Sequence, residues 1–132
     1  MKLDHVGIAV ADLAQAMADY RRLGFTVQEP EDLPEQGVRV AFVTLDNTHL
    51  ELLEPLGPQS PITAFLAKRG PGLHHLAVSV PDAREKLAAL NGDHVPVLSS
   101  APKPGAHGLD VIFLHPAATS SKVLLEFCSK RH

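Results

Sequence analysis

The feature that most constrains this chain is an internal repeat, carried by pattern more than by identity. In the first copy, 5–10 alternates with a period of two, the mark of a strand. Val6, Ile8 and Val10 face one way, so His5, Gly7 and Ala9 face the other. Asp12 then opens a helix with Gln15 at the capping-box position, and Leu13, Ala16, Met17 and Tyr20 form one apolar stripe. Gly24 is placed to stop it. Seventy residues on, His75, Val80, Asp82 and Glu85 repeat His5, Val10, Asp12 and Gln15, with Ala83, Lys86, Leu87 and Leu90 in the helical period and Gly92 as the expected stop. Phe42 aligns with Phe113 at an offset of 71, and Leu50-Glu51 with Leu125-Glu126 at 75; the longer 116–122 loop absorbs the drift.

Between the helix and the end of each copy the pattern reads as three further strands. In the first copy these are 25–28, 38–45 and 49–53, with an acidic loop over 29–37 and a turn at Asp46-Asn47-Thr48. The fold class expected is α+β: two tandem βαβββ modules, about 1–55 and about 72–128, sharing a curved sheet around a metal cleft. Ser60-Pro61 starts a linker helix over about 60–70. A lone unit of about 60 residues buries too little to be robust, whereas 132 residues suffice for a single domain, 1–132, built from both.

Several function classes fall away. The net charge is -3 and no Lys/Arg cluster exceeds two residues, which argues against nucleic acid. The one cysteine, Cys128, precludes an internal disulfide framework. No apolar run approaches the roughly 20 residues needed to span a bilayer. Met1 leads into a strand pattern rather than an export signal, so the cytoplasm is the expected compartment.

The repeat brings a histidine and a glutamate to matched places in each half: His5 with Glu51, and His75 with Glu126. A lone strand histidine is ordinarily a hydrogen-bonded residue, and a glutamate inside Leu50-Glu51-Leu52-Leu53 ordinarily marks a solvent face. Surface residues have no reason to recur as a set, however. Two imidazoles and two carboxylates suit a divalent first-row metal, and four ligands in an octahedral site leave two positions for substrate. The other six histidines, His49, His74, His94, His107, His115 and His132, are expected to be incidental to the metal. His49 nevertheless shares the face of Glu51, and His115 suits a structural hydrogen bond before Pro116.

Seven motifs then occur in order: 4–10 (DHVGIAV), 34–38 (PEQGV), 51–55 (ELLEP), 60–62 (SPI), 72–75 (GLHH), 113–116 (FLHP) and 123–126 (VLLE). Over roughly residues 2–127 the chain resembles the methylmalonyl-CoA epimerase family of the vicinal oxygen chelate superfamily. The resemblance implies a homodimer holding a divalent metal, Co²⁺ foremost, with Zn, Mn, Ni or Mg as alternatives. It carries metal binding onto His5, His75 and Glu126. The fourth ligand position matches Glu51, where some members have Gln; the extra negative charge makes for a weaker Lewis acid. Some members also have a glutamate, proposed as a base, at the place of Val40.

The implied reaction interconverts (R)- and (S)-methylmalonyl-CoA by α-proton abstraction through a metal-stabilised enolate. Inversion needs acid–base groups on both faces of the substrate, roles assigned to Glu126 and Glu51. Glu54 has the opposite strand parity and is a poorer candidate. Lys68, Arg69 and Lys103 are candidate phosphate contacts for the acyl-CoA. The alternatives are a glyoxalase I-like lactoylglutathione lyase, which can use the same ligand types, and a metal-free binding or resistance protein of the same fold.

Overall fold

The computed structural model describes residues 1–131, so His132 lies outside the described residues. The element order is β1 (Lys2–Ala9), α1 (Leu13–Arg22), β2 (Thr26–Val27), β3 (Glu31–Leu33), β4 (Val38–Thr44), β5 (His49–Pro55), α2 (Pro61–Arg69), β6 (Gly72–Ser79), α3 (Ala83–Gly92), β7 (Lys103–Pro104), β8 (Leu109–Phe113) and β9 (Leu125–Lys130). No helix among these residues is long and apolar enough to cross a membrane. The described chain divides into two compact units, His5–His74 and a second made of Met1–Asp4 with 75–131.

In the unit 5–74, β1 runs parallel to β5, which pairs antiparallel with β4. β4 in turn pairs with β2 and β3. Helix α1 packs on one face, where Leu13 and Met17 meet Ala41, Val43 and Leu52. Asp12 caps α1 by accepting from the Gln15 amide at 3.1 Å. The Gln15 side chain reaches forward to Asp19 at 2.9 Å, so it takes no part in a reciprocal box. Strand β3 corrects the expected 29–37 loop. Its acidic residues are exposed and read as loop by composition, but the Pro34–Gly37 turn, with Gly37 at φ +70°, folds them back onto β4. Asp32 and Arg39 pair across that hairpin at 2.7 Å, and the guanidinium holds the Asp32 carboxyl below its usual range.

The second unit repeats these relationships. β6 runs parallel to β9, β9 pairs antiparallel with β8, and β8 with β7. A single bridge, Val97 to Leu114, stands where β2 stands in the first unit. The ladder registers show the repeat at the level of single pairs. Phe42 lies opposite Glu51 and Phe113 opposite Glu126. On the parallel side, Gly7 lies opposite Glu51 and Ala77 opposite Glu126.

Asp82 caps α3 by accepting from the amides of Arg84 and Glu85, the N-cap half of the expected box. Its end differs from expectation. Gly92 is the last helical residue, and the left-handed position after the helix belongs to His94 at φ 57°, the counterpart of Gly24 at φ 98°. The same closing hydrogen bonds form in both helices: Gly24 to Arg21 and Phe25 to Tyr20, then His94 to Asn91 and Val95 to Leu90.

Candidate metal centre

Six polar residues among those described are buried: His5, Glu51, Ser60, His75, Glu126 and Ser129. The two serines are accounted for by helix starts. Ser60 caps α2 by accepting from the Ile62 amide at 3.2 Å, and Ser129 accepts from the Ala83 amide at 2.9 Å. The other four are the candidate ligands, each 4–7% exposed. Burying carboxylates and imidazoles is costly unless they are paired or bound to a metal, so four such groups at repeat-related positions ask for a shared chemical reason.

In the first unit, β1 and β5 bring His5, His49 and Glu51 to the sheet face opposite α1. His5 Nδ1 lies 3.2 Å from Glu51 Oε2, and His49 Nε2 lies 3.1 Å from the same oxygen. The rings of His5 and His49 stack at 5.2 Å, and Phe42 meets His49 edge-on at 5.6 Å. In the second unit His75 Nε2 lies 3.5 Å from Glu126 Oε1, with Phe113 edge-on to His75 at 5.5 Å. Each unit thus holds its own predicted pair.

These distances can be tested against a metal. Bonds of about 2.0–2.2 Å give neighbouring donors separations of about 3.0 Å in an octahedron and about 3.4 Å in a tetrahedron. The His5–Glu51 and His75–Glu126 separations fit such edges, and His5 and Glu51 belong to a buried group able to hold a metal ion. Imidazole and carboxylate donors of this kind suit a divalent first-row cation.

The remaining candidates have other tasks. Glu54, on the opposite strand parity, accepts from the Leu13 amide at 2.6 Å. Val40 is fully buried between its ladder partners Leu53 and Glu31, so no carboxylate stands at that place. Lys68 and Arg69 are exposed in the last turn of α2, Arg69 lying 5.8 Å from the centre of the Phe65 ring, and Lys103 is exposed on β7. His115 Nδ1 accepts from the Ala117 amide at 3.0 Å, the structural role expected of it. His74 packs edge-on against Phe65 at 4.9 Å, and burial pushes its imidazole down to about 4. His107 is exposed in a left-handed turn at φ 58°.

Residues 4–113 match the glyoxalase/bleomycin resistance protein/dioxygenase superfamily. The mitochondrial methylmalonyl-CoA epimerase of Bos taurus is 48% identical over 118 residues, 88% of this chain and 67% of that protein. The ethylmalonyl-CoA/methylmalonyl-CoA epimerase of Cereibacter sphaeroides is 49% identical over 118 residues, 87% of this chain and 88% of that one. A Streptomyces coelicolor methylmalonyl-CoA epimerase variant, solved with 2-nitronate-propionyl-CoA, superposes with a TM-score of 0.91 at 35% identity, covering 98% of this chain and 94% of the other. The chain spans about two-thirds of the length of the mammalian relatives it matches. The repeated strand–helix–strands pattern of the two units and these identities place the chain in the methylmalonyl-CoA epimerase family of the glyoxalase superfamily.

Proposed function

We propose that this protein interconverts the (R) and (S) forms of methylmalonyl-CoA, with His5, Glu51, His75 and Glu126 together holding one divalent metal ion. The observation that carries the metal reading is the burial of a His–Glu pair at matched ladder positions in each unit. The substrate class is supported by the relatives, one of which was solved in complex with methylmalonyl-CoA. A bound divalent ion, Co²⁺ foremost in this reading, supplies fixed positive charge where enolate charge develops on the substrate.

The chain's own part is to hold that charge and to move a proton. The α-proton of a methylmalonyl thioester lies between a carboxylate and a thioester carbonyl, and inversion removes it from one face and returns it to the other. Glu126 and Glu51 take these roles as base and conjugate acid, exchanging them with the direction of reaction. Their burial keeps bulk water from competing for the proton. The acyl-CoA phosphates fall to Lys68, Arg69 and Lys103, and the assembly is a cytoplasmic homodimer.

Deuterium incorporation into methylmalonyl-CoA in D₂O, followed with and without Co²⁺ after chelator treatment, tests the reading. Exchange at the α-carbon that is lost with the metal and restored by it is expected. Its absence overturns the epimerase assignment, and turnover of a glutathione hemithioacetal in its place would favour the lyase.

A further inference from the structure

One contact in the first unit lies outside the four-residue set. His49 Nε2 sits 3.1 Å from Glu51 Oε2, two positions along β5 on the same face. A carboxylate oxygen accepts, so in this contact an Nε2–H of His49 is the donor. The ring itself is held in place, stacked on His5 at 5.2 Å and met edge-on by Phe42 at 5.6 Å. Its side chain retains 23% exposure, against 9% for that of Glu51. A donor fixed in this way sets the rotation of the carboxylate. It also draws charge away from the oxygen that lies 3.2 Å from His5 Nδ1.

We infer that His49 is a positioning residue for Glu51, orienting its carboxylate toward the metal and offsetting the extra negative charge that Glu51 brings to the ligand set. The inference rests on the proposed metal site. Hydrogen-bond partners of ligating carboxylates commonly contribute 10–100-fold to metal affinity. The role belongs to the pair: a neutral amide at position 51 would have no such charge to offset.

The test is a Co²⁺ titration of the metal-free full chain, read by calorimetry and by the visible d–d absorption of bound Co²⁺. His49→Phe and His49→Ala should each weaken Co²⁺ binding by about 10–100-fold and alter the absorption band. His49→Gln retains an N–H donor and should bind within about twofold of the unsubstituted chain. Placed on top of Glu51→Gln, His49→Phe should weaken binding less than it does in the unsubstituted chain, because the charge to be offset is gone. A chain that takes up no Co²⁺ before any substitution overturns the metal site itself. Binding there, with unchanged affinity and spectrum in His49→Phe and His49→Ala, overturns only the role of His49. So does an equal loss in His49→Gln.

Discussion

The Glu54 carboxylate accepts a 2.6 Å hydrogen bond from the Leu13 amide at the start of α1, and Ser129 does the same for Ala83 at the start of α3. The last strand of each copy therefore ties down the first turn of its own helix, from the sheet face opposite the candidate ligands. Glu54 earns its place structurally, by satisfying an amide that the helix leaves unpaired and by setting negative charge at the positive end of the helix dipole.

Glu54→Ala should accordingly lower stability by about 1–2 kcal/mol, the usual loss for a capping interaction, while α-proton exchange in the folded enzyme persists. Urea unfolding gives the first quantity and deuterium exchange the second. Loss of exchange without loss of stability would move Glu54 into the chemistry.

His94 occupies a left-handed position at φ 57° that its counterpart fills with Gly24. A non-glycine residue in that conformation costs about 1–2 kcal/mol, partly offset by glycine's greater freedom when unfolded. His94→Gly should raise stability by about 0.5–1 kcal/mol, seen as a Tm increase of about 2–4 °C. Gly24→Ala should have the opposite sign.

Burial holds His74 neutral, its pKa lowered from 6.5 to about 4. Between those values the unfolded chain binds a proton that the folded chain refuses. Its contribution is therefore whole above pH 6.5 and shrinks as the pH falls toward 4, by at most about 3 kcal/mol. Urea midpoints of the metal-free protein from pH 7.5 to 4.5 should fall more steeply than those of His74→Phe. Parallel curves would show that His74 is not the group responsible.

Glu126→Gln removes a proposed ligand and a proposed base together. Co²⁺ uptake should weaken, and α-proton exchange should drop by about 10²–10⁴-fold, the usual scale for losing a general base. Normal exchange in this variant would remove Glu126 from both roles.

What the amino-acid pattern made legible follows from period and spacing. The two strand–helix openings, both N-caps and the matched His–Glu pairs were all visible, because alternation and capping are local and the repeat doubles each signal. Strand β3 was hidden because Glu31 and Asp32 are exposed on a short edge, where charge reads as loop. The end of α3 is not legible because Gly92 suggests a stop two residues early, while the turn tolerates a histidine where its counterpart has glycine. The shared face of His49 and Glu51 could be read from parity, but not the hydrogen bond between them. Side-chain rotation leaves no trace in spacing.

The conserved ladder register also sets where this chain tolerates a change in length. Nine residues separate Phe42 from Glu51 and thirteen separate Phe113 from Glu126, yet each pair meets in the same rung. The four extra residues fall between the strands, where a loop can bulge outward. One residue gained inside β9 would instead send Glu126 through the sheet to the far side. Insertions and deletions should thus be neutral in 116–122 and abolish function a few positions later, which makes the length of that loop a free variable and the phase of the strand beside it a fixed one.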